Sequence, residues 1–193
     1  MKKLALYSAV IVTALFFSFK TLAPSVWKLD AAHSKLGFSV THMVVSDIEG
    51  AFTKFDATIN AVNEDFTDAS VTMTADVATV NTAQDRRDGH LKSADFFDAA
   101  KYPTITFAST SFKKSGANTY TVVGSLTMHG VTKPVTLTAT AKTGTDMMSK
   151  KAIVGFKIEG TFKRTDFGIG ASYPSAAIGE DITLVSSATF VKQ

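Results

Sequence analysis

Apolar and polar residues alternate with a period of two over most of this chain, the pattern of strands with one buried face. In residues 34–43, Leu36, Phe38, Val40 and His42 fall on one side and Lys35, Gly37, Ser39 and Thr41 on the other. Residues 69–80 place Val71, Met73, Ala75 and Val77 inward, and residues 119–128 do the same with Tyr120, Val122, Gly124 and Leu126. Val135, Leu137 and Ala139 alternate with threonines in 131–141. Ala152, Val154, Phe156, Ile158 and Phe162 share one face of 152–163. Segments 104–112 and 181–191 also read as strands. Residues 49–61 break the rule, because Phe52 and Phe55 are three apart and cannot share a face of a regular strand. A bulge near residues 50–54 would reconcile them. Pro134 cannot donate to a ladder, so it marks a strand start, a bulge or an edge.

About eight strands follow from this pattern, joined mainly by short turns that favour antiparallel hairpins. The expected fold is all-β: an eight-stranded antiparallel barrel, whose interior holds side chains or one small ligand. A β-sandwich of the same strands is the alternative.

Residues 80–107 interrupt the strands between the third and fourth. They read as partly helical. Thr82 is placed to cap a short helix beginning near Ala83 with Asp85 in its first turn, and Ser93 to cap a second turn with Asp95 close behind. Pro103 then forces Tyr102 into extended geometry and starts the next strand. Helical insertions between barrel strands cover an open end, so Phe96 and Phe97 are expected to point into the barrel as a plug or as a cap on a ligand.

Composition sharpens the interior. The chain has 15 Phe against 4 Tyr and 1 Trp, and Phe is a large apolar ring with no polar tip to satisfy. Such rings suit either a packed core or a ligand cavity. Gly37, Ala75, Gly155 and Gly160 among them leave room, which favours the cavity. The tail-binding candidates are Phe38, Val40, Phe52 (or Phe55), Phe96, Phe97, Phe107, Phe156, Phe162 and Phe167. Each methylene buried against such rings contributes about 0.8 kcal/mol, so a tail of some fifteen carbons supplies roughly 12 kcal/mol gross, before the costs of association.

The N-terminus reads as a separate device. Lys2 and Lys3 precede the apolar run Leu4–Phe17, and Ser18–Ala23 follow, the layout of a secretory signal peptide. The run is shorter than the roughly 20 residues that span a bilayer. Residues 1–23 are therefore expected to be a signal peptide and 24–193 the binding domain; retention as an anchor is the alternative. The segment carries Lys2, Lys3 and Lys20 and no acid, leaving 17 residues of each sign in the remainder. A near-neutral domain of this kind is a poor partner for nucleic acid. The chain has no Cys, so it relies on its core rather than on disulfides.

Arg86, Arg87, Asp88 and His90 form the densest polar group. Arg87, Asp88 and His90 could hold a ligand's phosphate or quinone oxygen at a barrel mouth, since Arg presents a planar fork of donors. Alternatively, Arg87 and Asp88 pair to pin the insert onto the barrel. His33 and His42 are further head-group candidates, although His42, on an apolar face, also fits a hydrogen-bonded core position. His129, in a turn, reads as solvated. Four His and no Cys do not suggest a converging metal set, and no GxSxG elbow is present. Neither a metal, a cofactor nor a catalytic residue is expected.

Several motifs, in order, carry a family resemblance: Leu29-Asp30-Ala31-Ala32-His33-Ser34, Phe38-Ser39-Val40-Thr41-His42, Gly50-Ala51-Phe52, Asn81-Thr82, Arg87-Asp88-Gly89-His90-Leu91, Ser93-Ala94-Asp95-Phe96-Phe97, Tyr102-Pro103, the run 124–135, and Arg164-Thr165-Asp166-Phe167-Gly168. Together they resemble the YceI-like family from Trp27 to the end of the chain, with Thr165 standing where that family often has Ser. The resemblance implies a periplasmic, lipocalin-like antiparallel barrel with an elongated apolar pore. It also implies a ligand such as a polyisoprenoid, a quinone or another long amphipathic molecule. The expected function is non-catalytic carriage of such a lipid, the membrane serving only as its source and a homodimer being possible. An enzyme acting on the lipid and a structural stress protein with a closed core are the alternatives.

Overall fold

Strand β7 (Thr119–Met128) shows how the alternation becomes architecture: Tyr120, Val122, Gly124, Leu126 and Met128 are buried while every intervening residue is half-exposed. The same rule governs the other long strands of this computed structural model, which describes residues 23–193. In chain order these are β1 (Ser25–His42), β2 (Ser46–Phe52), β3 (Phe55–Ala61), β4 (Ser70–Asp76), the short β5 (Val80–Asn81), the helix α1 (Asp85–Leu91), β6 (Thr104–Lys114), β7, β8 (Val131–Thr145), β9 (Ala152–Lys163) and β10 (Ile178–Lys192). The expected signal peptide lies outside the described residues, apart from Ala23.

All the pairings are antiparallel, and β10 closes the sheet by pairing with β1 from Trp27↔Lys192 to His42↔Ile178. Strands β2 and β3 pair with successive halves of β1, Phe52 opposite Leu36 and Ala61 opposite Ser25. They act as one bent strand, and the result is a closed eight-stranded barrel. The expected bulge is therefore a complete break at Thr53–Lys54, which turns both Phe52 and Phe55 inward. The third strand ends at Asp76, not at residue 80, and passes through a 3₁₀ turn at Val77–Thr79.

The first strand begins earlier than its alternation suggests. Between the pairs Asp30↔Thr189 and Lys35↔Ser187, residues 31–34 bulge outward. Ser34 stitches the bulge: its hydroxyl donates to Asp30 O at 2.7 Å and accepts from Thr189 N at 2.9 Å. The bulge shifts the side-chain phase, which hides Ser25–His33 from a search for period two. Pro134 lies on a stretch of β8 bonded to β7 only, since the β8–β9 ladder begins at Thr138↔Glu159. The missing donor of Pro134 thus costs no ladder bond.

The two barrel ends are closed differently. At one end, the loop 62–69 carries Phe66 under the barrel, 5.1 Å from Trp27 and 5.5 Å from Phe156 between ring centres. Phe66 adopts φ 60°, a costly conformation for a bulky residue, and its nearly complete burial offsets that cost. Tyr120 ties the loop down by donating to Asp65 O at 2.7 Å; burial raises the pKa of its phenol. We call this the floor. The other end is covered by residues 82–103 and by the loop 164–177, which form the lid.

A lidded apolar cavity and its buried arginine

The barrel encloses a cavity of about 210 Å³, many times the roughly 10–15 Å³ that one water requires. Its wall is built from inward positions of almost every strand, closed above by Leu91, Phe96, Phe97 and Ile169. Among the described residues, Arg164 and Ser186 are the only polar side chains lining it. A cavity so lined has few partners for water and favours an apolar ligand.

Glycines shape the wall by a route the sequence does not display. Phe38 lies opposite Gly50, and a Cβ on Gly50 would come 2.4 Å from its ring. Phe107 lies over Gly124 in the same way, and the Leu137 side chain fills the space at Gly160. The rings therefore lie flat along the wall rather than across the lumen. The expectation that Gly37, Ala75, Gly155 and Gly160 create the room holds only in part: Gly37 lines the cavity with its backbone and Gly160 makes room for Leu137. A Cβ on Gly37 would meet the Val185 carbonyl at 2.7 Å, and Ala75 and Gly155 do not line the cavity.

Of the proposed tail residues, Phe38, Val40, Phe52, Phe96, Phe97, Phe107, Phe156 and Phe162 line the cavity, as does Phe55. Phe167 does not. It is buried behind the wall, 5.8 Å from Phe162, in a 3₁₀ turn at Arg164–Phe167 that follows β9. Phe112 and Phe190, which line the deep part beside Phe156, complete the aromatic floor.

The five proposed head-group residues are not brought together. His33 sits on the outer bulge of β1 with its side chain 75% exposed, its Nδ1 2.8 Å from Asp30 Oδ2. The hydrogen bond and charge of Asp30 raise its pKa, and the same bond lowers that of Asp30. His42 is half-buried at the lid end of β1, past Val40 and opposite Ile178, and is not part of the cavity wall.

Arg87 and Asp88 do not pair with each other, and their side chains bond within the insert rather than to a barrel strand. Both converge on Thr82. Arg87 donates from Nε to Thr82 Oγ1 and from Nη2 to Thr82 O, each at 2.7 Å. Asp88, buried, accepts from Thr82 N at 2.9 Å and from its hydroxyl. With Thr82 so occupied, the capping role passes to Gln84, whose side chain accepts from Arg87 N. The second helical turn is replaced by a series of tight turns, in which Ser93 donates to His90 O at 2.7 Å instead of capping.

His90 lies on the lid's outer side. Its Nε2 is 3.2 Å from Tyr173 Oη and 3.4 Å from Asp95 Oδ2, and its ring meets the edge of Phe96 at 4.9 Å. Tyr173 also stacks on Phe96 at 5.1 Å, so the two halves of the lid are joined through these rings. His129, expected to be solvated, is half-buried, with Nδ1 3.0 Å from Phe167 O.

The residue that organises the lid is not among the expected site residues. Arg164 is 2% exposed, and all five of its N–H donors reach backbone carbonyls. Nε donates to Gly179 O at 3.0 Å. Nη1 donates to Ile169 O at 3.0 Å and to Gly170 O, and Nη2 to Tyr173 O at 2.8 Å and Ile178 O at 2.9 Å. The guanidinium fork thus replaces a ladder for a loop that has none. Burial lowers its pKa, partly countered by Glu180. Gly170 is required here: at φ 58° its backbone touches both partners, and a Cβ would fall 2.8 Å from Phe96 and 3.2 Å from Arg164 Nη1. A sequence signal did exist. Arg164 continues the inward series Phe156, Ile158, Phe162, where a lone cation is anomalous.

Comparison with known proteins agrees with this architecture. Residues 27–190 match the model of the YceI-like domain. Protein YceI of Escherichia coli O6:H1 is 36% identical over 183 residues, covering 93% of this chain and 94% of that protein. The crystal structure of Burkholderia cenocepacia BcnA superposes with a TM-score of 0.74 at 26% identity, covering 83% of this chain and 98% of that one. A polyisoprenoid binding domain from Saccharophagus degradans, implicated in plant cell wall breakdown, shares the fold with a TM-score of 0.63 at 16% identity, over 86% of this chain and 98% of that one. The chain belongs to the YceI family.

Proposed function

We propose that this protein binds a long-chain isoprenoid or related amphipathic lipid, such as a polyprenyl phosphate, quinone or fatty amide, inside the barrel and leaves it chemically unchanged. The observation that carries this reading is the continuous apolar cavity, lidded at one end and floored by aromatic rings at the other. The tail runs toward Phe156 and Phe190, where the wall is driest. The polar head stays at the lid end, near the buried charge of Arg164. The likeness in fold to a polyisoprenoid binding domain supports the ligand class. We propose residues 1–23 as the signal peptide and the periplasm as the location of the barrel.

Native mass spectrometry of protein purified from cells without detergent tests this reading. The expected spectrum contains a species heavier than the polypeptide, whose extra mass is recovered intact in organic extract. Stripping that lipid lowers the melting temperature, since a ligand present at a hundred times its Kd stabilises by about 2.7 kcal/mol. Only the apo mass, with no uptake of added prenyl lipids or quinones, contradicts it.

A further inference from the structure

The β1–β2 hairpin ends in an apolar tip that the fold does not account for. Met43, Val44 and Val45 are 58, 72 and 85% exposed. Met43 and Val44 occupy φ 52° and 63° in a turn closed by Val45 N donating to His42 O at 3.2 Å. Turns with two positive φ angles are filled at little cost by Asn-Gly, whereas a β-branched residue there is strained. This chain accepts the strain and also keeps three apolar side chains in water. Neither the turn nor the core gains from them, so their use lies outside the folded chain.

Position indicates that use. His42 pairs with Ile178, and Met43 N donates to Ala177 O at 3.0 Å, so the tip stands at the lid end, against the loop whose carbonyls clamp Arg164. The inner face of the same hairpin supplies Phe38 and Val40 to the cavity wall. One hairpin thus carries apolar surface from the lumen to exposed side chains at the lid end. Residues 42–46, His-Met-Val-Val-Ser, contain no Lys, Arg, Asp or Glu.

We propose that Met43, Val44 and Val45 insert into the surface of a lipid bilayer and dock the barrel with its lid facing the membrane. The direction of transfer this gives, between bilayer and lumen, rests on the lipid-binding reading above; the docking itself does not. Because the tip has no basic residue, insertion depends on apolar burial at the headgroup boundary and is weakly sensitive to salt.

The test is co-sedimentation with sucrose-loaded phosphatidylethanolamine–phosphatidylglycerol vesicles, alongside uptake of a fluorescent prenyl probe from vesicle-free solution. The double variant Val44→Asn/Val45→Ser relieves strain, since Asn tolerates positive φ, and should fold at least as well as the parent. It is expected to lose vesicle binding at least tenfold while retaining probe uptake. The hairpin at the floor end supplies the control. Met147 and Met148 are 84 and 94% exposed, and Met147→Ser/Met148→Ser is expected to leave vesicle binding intact. The proposal is overturned if the parent does not sediment with vesicles, if Val44→Asn/Val45→Ser binds them as the parent does, or if binding is lost in the Met147/Met148 variant instead. It is also overturned if the tip substitutions dissolve a dimer in vesicle-free solution and leave vesicle binding unchanged, which assigns the tip to a second copy of the chain. Failure of probe uptake with vesicle binding intact counts against the lipid-binding reading alone.

Discussion

Replacing Arg164 by methionine is expected to lower folding stability by about 3–5 kcal/mol, the cost of several buried acceptors losing their donor less what the loop recovers by relaxing. Five carbonyls, three in the loop 164–177 and two at the start of β10, lose their donor together. A buried acceptor left without a partner costs roughly 1–3 kcal/mol, and relaxation of the loop toward water recovers part of the sum. Methionine replaces the aliphatic stem, so the loss reports on the hydrogen bonds rather than on packing. Lysine is expected to recover less than half of it, because three donors on one nitrogen cannot reach carbonyls arranged around a planar fork. Urea denaturation measures both values. A loss below about 1 kcal/mol for Arg164→Met shows that the loop closes without the clamp.

The second large effect is at the floor. Phe156 is 4% exposed and has four aromatic neighbours: Phe66, Phe112, Tyr120 and Phe190, with ring centres 5.5–6.2 Å away. Phe156→Asp removes the ring at a cost of about 3–5 kcal/mol and adds a carboxylate with no partner in its place. The combined penalty reaches the whole stability of an ordinary domain, about 5–15 kcal/mol, so the variant is expected not to fold, as read by circular dichroism and by its elution volume. A folded Phe156→Asp protein places the ring outside the structural core. The companion variant Met73→Trp separates binding from folding. Met73 is half-buried on the lumen side, opposite Phe107, and a larger ring there occupies ligand space. Its melting temperature is expected to stay within a few degrees of the parent, with at least a tenfold loss of affinity for a long-tailed lipid.

The barrel was legible because each wall strand separates a dry lumen from water, so side-chain chemistry records the fold at every second position. Where that separation lapses, the record fails. The bulge at 31–34 shifts the phase within β1, and the break at Thr53–Lys54 looks like an irregular strand. The cavity rings were legible as inward phenylalanines, but their posture was not. Whether Phe38 crosses the lumen or lies along the wall depends on Gly50 in the neighbouring strand, a relation set by register.

The polar residues are the least legible in the sequence, for a physical reason. The complementary charges of Arg87 and Asp88 suggest a pair, yet both satisfy themselves on Thr82. Arg164 bonds only backbone carbonyls, groups that every residue carries, so its partners leave no compositional trace. What a charged side chain holds depends on the path of the chain around it.

The most direct measurement of the central claim is affinity against tail length, in a series of lipids with one head group and tails growing by a fixed number of carbons. If the lumen holds the tail, binding strengthens by about 0.8 kcal/mol per methylene, then levels off once the tail has filled the space down to Phe156. The Met73→Trp protein reaches that plateau at a shorter tail. An affinity that does not change with tail length, in parent and variant alike, contradicts the account.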